Sequence, residues 1–309
     1  MPLHTKSDDK RRWRDGALRA GLFFSLLLLP LVCGECFIRR QPNASKAKHE
    51  YLLHHSREVD VLVLGSSHTY YGIAPELLSP KAYSAAQVSQ TLRYDEYLLR
   101  HYPFDHLKWV IVPISDFSLY EELEDGASWY LASRYRIYMD CDIHSRLSVY
   151  GWEMTAFRSY CSKLRQLWEK PHMQWSQWGQ GLEYTVENKP TDWDNGEKRA
   201  AQNTYTNFSH APEAMAHLES ISRFCRAHHA RMLLVSTPLR ESYRQHQRTD
   251  QRADTERHIS RFLLQHPQCR YLDFSQDTTF TADDFYDSDH LTTRGADKLT
   301  RKIRVAMTE

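Results

Sequence analysis

Five short runs of strand character, separated by stretches patterned for helices, constrain this chain more than any other feature. Val59–Leu64 and Trp109–Ile114 are nearly continuous apolar runs rich in β-branched residues, as in strands buried on both faces. Ala82–Ala86, Met232–Val235 and Arg270–Phe274 read as further strands. Between and after them, Leu92–Tyr102, Ala214–His228, Arg252–Gln265 and Gly295–Met307 have helical character. This alternation predicts an α/β fold with a parallel sheet covered by helices on both faces. Ligands of such folds bind at the carboxyl ends of the strands, where Ser67, Ser115, Thr237 and the segment after Asp273 fall.

From Tyr120 to about His210 the alternation gives way to a stretch rich in Trp, Tyr, Arg and Ser, read as a helical and irregular insertion. Trp152, Trp168, Trp175, Trp178 and Trp193 concentrate there. Their faces suit sugar rings, but the expectation is that they form the insertion's own core or pack on a membrane or partner.

Ahead of the sheet, residues 20–38 are apolar apart from Ser25, Glu35 and two cysteines. Nineteen helical residues would span about 28 Å, enough to cross a hydrocarbon core. Glu35 would then lie at an interface, where its charge is least costly. Lys10, Arg11, Arg12, Arg14 and Arg19 precede the segment and favour a cytoplasmic N-terminus over residues 1–19. The expectation is an uncleaved single-pass signal anchor in the inner membrane, with the main domain periplasmic; a cleaved signal peptide is the rival reading. Residues 39–57, polar and basic, read as a juxtamembrane linker, and 58–309 as the domain.

An exported domain is permitted disulfides. Cys225 and Cys269 precede neighbouring strands and stand where they could pair; buried free thiols are the alternative. The net charge of +1 gives no electrostatic case for nucleic acid. Neither a dinucleotide fingerprint nor a P-loop is present. His54-His55 and His228-His229 lack further ligands at metal spacing, so neither a metal nor an organic cofactor is expected.

Gly65-Ser66-Ser67-His68 follows the first strand directly, and Asp287-Ser288-Asp289-His290 lies near the other end of the chain. A serine hydroxyl becomes a useful nucleophile when a histidine takes its proton and a carboxylate fixes the imidazole tautomer. An Asp three residues before a His, on a loop entering a helix, can hold one ring nitrogen and leave the other facing a serine. The spacing therefore points to Ser67, His290 and Asp287. Asp289 is the competing carboxylate, expected on the opposite side of an extended segment; His68 adjoins the serine and could line the site, but is expected to point away from the three.

Four stretches, VLVLGSSHTYYGI, KAYSAAQVSQTL, WVIVPISDFSL and FYDSDHLTTRGADKL, stand in the order of the conserved blocks of the SGNH (GDSL-like) hydrolase superfamily. The chain resembles that superfamily, and in particular its membrane-anchored, DltD-like branch of cell-envelope acyltransfer proteins. The resemblance implies a three-layer, flavodoxin-like domain with Ser67 as nucleophile and Asp287 and His290 as its partners. It also implies an oxyanion hole, for which the family's glycine and asparagine are missing in the second and third blocks. Gln87, Gln90 and Ser115 are the residues expected to donate instead. An esterase or O-acyltransferase acting on acyl esters of an envelope polysaccharide follows; a thioesterase or lipase is a weaker idea. A degenerate scaffold that binds glycan or joins an envelope acyl-transfer complex is the alternative.

Overall fold

The computed structural model describes residues 6–126, 128–143, 151–155, 161 and 174–308. The chain divides into two compact units, residues 1–42 with 150–171, and residues 43–149 with 172–309. Trp168 lies outside the described residues.

In the first unit, α1 (Lys6–Arg40) runs unbroken through the apolar segment. Its portion Trp13–Arg40 is long and apolar enough to cross a membrane by length and composition, and Leu22, Phe23, Phe24 and Leu26 are all exposed. Near the end of α1, Glu35 pairs with Arg39 at 2.7 Å and accepts the backbone N–H groups of Glu153 at 2.8 Å and Met154 at 3.1 Å. The one acidic residue of the apolar segment is thereby compensated inside its own unit.

The second unit is built on a five-stranded parallel sheet: β1 (Val61–Val63), β2 (Ala82–Ser84), β3 (Trp109–Pro113), β4 (Arg231–Ser236) and β5 (Cys269–Asp273), in the order β2-β1-β3-β4-β5. Alternate residues go to opposite faces. Leu62, Val110, Val112, Met232 and Leu234 join one apolar cluster with Leu98, Ile221 and Phe262. Val61, Val63, Ile111, Leu233 and Val235 join a second with Leu299 and Ile303. Helices α4 (Leu92–His101), α7 (Ala211–Ala227) and α9 (Thr249–Gln265) supply the first cluster, and α10 (Thr293–Thr308) supplies the second. Burial on both faces is why the strands read as continuous apolar runs.

Residues 39–57 differ from the expected linker. Asn43 caps α2 (Ala44–His55) by accepting the N–H of Lys46, and Ser45, Lys48 and Leu52 of this helix are buried in the second unit. The polar composition concealed this because one buried side chain is a lysine. The Lys48 ammonium donates to the carbonyls of Ser84 (2.7 Å), Ala86 (2.7 Å) and Gly179 (2.6 Å) and lies 4.7 Å from the Tyr70 ring centre. Burial holds its pKa well below the usual lysine range.

Among the described residues the cysteines are all free, and Cys225 and Cys269 are buried thiols. Burial, with Cys269 nearby, pushes Cys225 up to about 12. The rest of the insertion described includes α5 (Ala132–Tyr138) and α6 (Gly196–Gln202). Trp193 there packs on the second cluster and takes Lys189 at 3.9 Å and Arg240 at 5.2 Å from its ring centre.

Candidate active site

The first strand ends in a turn that only glycine fits. Gly65 has φ +106°, and a Cβ there would stand 2.0 Å from Pro113 Cγ, at the end of the neighbouring strand. The Gly65 N–H donates to Asp95 Oδ1 at 2.8 Å, while its carbonyl accepts Gln87 N–H at 3.0 Å. Asp95 is fully buried, and burial lifts its pKa to about 7 although Gln90 and Gly65 both bond it. The turn leads into α3 (Ser67–Gly72), whose Thr69 hydroxyl reaches back to Leu64 O at 2.7 Å. Within Val61–Tyr70 only Ser67 is partly exposed. Its N–H, at the first helical position, has no intrahelical acceptor.

The second half of the site is a closed turn. Phe285 and Leu291 pair as an antiparallel bridge, and Tyr286 N–H bonds His290 O at 2.9 Å. Inside it Asp287 Oδ1 accepts the N–H groups of Asp289 (3.0 Å) and His290 (2.8 Å). These are the local bonds by which an aspartate fixes a turn. They leave the same carboxylate against the ring, with both oxygens 3.0 Å from His290 Nδ1. Helix α10 follows and packs on α3, with Ala74 N–H donating to Thr300 Oγ1 at 2.9 Å.

These two halves meet at Ser67 Oγ and His290 Nε2, 2.8 Å apart. With Nδ1–H donated to Asp287, Nε2 carries the lone pair and accepts the serine proton. Burial pulls the His290 imidazolium down, but Asp287 and Asp289 outweigh it and hold its pKa above the ordinary value. Tyr71, Tyr184 and Tyr286 stack beside this pair. Tyr184 lies 3.8 Å from each of the other two rings and 5.6 Å from His290. The arrangement places a hydroxyl, a proton acceptor and an orienting carboxylate in line, the chemistry of a nucleophilic serine.

The other expected donors lie elsewhere in the packing. Gln87 is held by Ser45 and by Met139 Sδ at 3.0 Å. Gln90 donates to Asp95 at 2.6 Å and accepts Tyr135 OH at 2.6 Å. Both amides are engaged away from Ser67 by contacts that distant segments provide. Ser115 does come near, but its hydroxyl lies 2.7 Å from His68 Nδ1.

His68 and Asp289 also depart from expectation. His68 is buried, with its ring centre 4.9 Å from that of His290. Asp289 is not across an extended segment, because the Asp287 turn folds it back to 3.5 Å from His290 Nδ1. It is fully buried and receives the Arg199 fork at 2.7 and 2.9 Å, His68 Nε2 at 3.1 Å and Asn203 Nδ2 at 3.3 Å. Burial opposes its charge, yet His290, His68 and Arg199 together hold its pKa well below the usual range. Arg199 sits in a stretch without strand–helix alternation, and nothing in its local sequence marks it.

His68, Asp289 and His290 present ligand atoms within 4.8 Å of one another. Those atoms are engaged by Ser67, Asp287 and one another, and the Arg199 guanidinium repels a cation from Asp289.

No protein-family model matches the chain, and no curated protein matches it. Among solved structures, a crystal structure described as "a putative acylhydrolase" from Bacteroides fragilis is similar at 10% identity and a TM-score of 0.41, covering 87% of this chain and 98% of that one.

Proposed function

We propose that this chain is a membrane-anchored serine esterase or O-acyltransferase of SGNH-like architecture, acting on acyl esters of a cell-envelope polymer or glycan. The observation that carries the reading is the Ser67–His290–Asp287 hydrogen-bond chain, with 2.8 Å between Oγ and Nε2 and 3.0 Å between Nδ1 and the carboxylate. Ser67 attacks the acyl carbonyl as its proton passes to Nε2. His290 returns that proton to the leaving alcohol, and Asp287 steadies the imidazolium. The Ser67 N–H supplies one donor to the oxyanion. Water as acceptor makes the chain an esterase; a glycan hydroxyl makes it a transferase.

The strand order β2-β1-β3-β4-β5 supports the flavodoxin-like reading, since ligands of that order bind beside β1 and β3 and Ser67 follows β1. The apolar span of α1 and the basic residues before it support a single-pass anchor with the domain extracytoplasmic.

A degenerate scaffold is the second reading, favoured by the engagement of Gln87 and Gln90 elsewhere. The test is fluorophosphonate labelling of the full chain in detergent, with adduct sites mapped by mass spectrometry. An adduct at Ser67, absent in Ser67→Ala and slowed at least about a hundredfold in His290→Ala, supports the enzyme. A folded chain that takes no adduct at Ser67 supports the scaffold.

A further inference from the structure

A second Ser–His–Asp chain lies beside the first. Ser115 Oγ is 2.7 Å from His68 Nδ1, and His68 Nε2 is 3.1 Å from Asp289 Oδ2. Asp289 stays ionised under the Arg199 fork and so fixes the proton on Nε2. The lone pair of His68 is then on Nδ1, where it accepts the Ser115 hydroxyl proton. The ring is turned end for end relative to His290, yet the roles are the same: carboxylate on one nitrogen, serine on the other.

Position supports a chemical role for this second chain. Ser115 follows β3 at the carboxyl edge of the sheet and is partly exposed, whereas His68 and Asp289 are buried. Ser115 and His68 line a cavity of about 60 Å³ that also takes in Asp116, Thr237, Gln247 and Arg252. Ser67 is not among the lining residues. Among the described residues, the N–H groups of Asp116 and Phe117, directly after Ser115, have no acceptor in the chain.

We propose that Ser115, His68 and Asp289 form a second nucleophilic centre, open to this cavity, that takes the acyl group of a polar ester independently of Ser67. Ser115 Oγ bonds to the acyl carbon while its proton passes to His68 Nδ1. The carbon–oxygen bond to the alcohol then breaks, and the alcohol departs with that proton. Water or another hydroxyl reverses the sequence: its oxygen takes the acyl group, its proton passes through Nδ1 to Ser115, and the serine is regenerated. The polar lining suits a hydroxyl-bearing alcohol portion or acceptor.

The experiment uses full-length Ser67→Ala in detergent, treated with a fluorophosphonate and with p-nitrophenyl acetate. Peptide mapping locates the adduct, and a thermal melt verifies folding. The expected result is an adduct at Ser115 that is lost in Ser67→Ala/Ser115→Ala and forms at least about a hundredfold more slowly in Ser67→Ala/His68→Gln. A folded Ser67→Ala chain with no adduct at Ser115 overturns the proposal, as does an adduct whose rate ignores His68. Labelling of Ser67 in the unaltered chain is scored separately, so either centre can fail without the other.

Discussion

The rings of His68 and His290 stand edge to face, 4.9 Å between centres, and each holds a different serine: His290 takes Ser67 at 2.8 Å and His68 takes Ser115 at 2.7 Å. The two chains are interleaved along the sequence. Neighbours Ser67 and His68 serve different chains, and so do neighbours Asp289 and His290. Arg199 holds the Asp289 carboxylate that lies against both rings.

Arg199→Met tests that junction. Its guanidinium charge opposes protonation of His290, so removing it raises the His290 pKa further. The acid limb of the esterase profile should move to higher pH, and the rate at neutral pH should fall. Stability should drop by about 2–3 kcal/mol, less than the roughly 3–5 for isolating a buried charge, because His68 and Asn203 still bond Asp289. An unchanged pH profile would detach Arg199 from His290.

The pH dependence of ester hydrolysis should report His290 directly. Its neutral form accepts the Ser67 proton, so the rate should rise with pH through a midpoint above the ordinary histidine value of about 6.5. Stability runs the opposite way for this group. Its contribution is full below the unfolded value of about 6.5 and is lost as pH rises through the higher folded value. Asp287→Asn removes the largest favourable charge on His290, so the midpoint should fall and the rate should drop by up to about 10⁴-fold.

Gly65→Ala should destabilise the second unit by roughly 2–6 kcal/mol, combining left-handed backbone strain with overpacking against Pro113. Denaturant unfolding measures this. Loss of Ser67 labelling should accompany it, since the turn sets where α3 begins.

Asp95 beneath the same turn separates hydrogen bonding from charge. Asp95→Ala leaves the Gly65 N–H and the Gln90 amide without their acceptor and should cost about 1–3 kcal/mol for each. Asp95→Asn keeps an acceptor and should cost far less. With the folded pKa raised to about 7, the contribution of Asp95 is full below its unfolded value near 3.9 and lost as pH rises through 7. The gap between unfolding curves at pH 5 and pH 9 should therefore be smaller for Asp95→Asn than for the unaltered chain, the His290 contribution remaining in both.

What could be read from the sequence was what local patterns encode. Apolar runs in Val59–Leu64 and Trp109–Ile114 marked β1 and β3, and the parallel sheet followed from their alternation with helices. Ser67 falls just after β1, and Asp287 and His290 share one turn, so their proximity needed only the topology. Gln87 and Gln90 were misplaced because Ser45, Met139 and Tyr135, far away in sequence, claim their amides. Lys48 defeated the polarity pattern: its cost of burial is offset by three carbonyls that no local reading locates. Arg199 and Asp289 needed tertiary contact, since a fork to a carboxylate 90 residues away leaves no trace in spacing.

The separation of Ser67 from His290 also has a consequence for how the chain is made. They stand 223 residues apart, so at about 5–20 residues per second the ribosome releases the serine on the order of 10–45 s before its base. His68 likewise waits across 221 residues for Asp289. Neither hydroxyl has its full relay until the turn that carries Asp287, Asp289 and His290 has emerged and α10 has docked. A nascent chain thus lacks both complete hydrogen-bond relays, which arrive only with completion of the fold.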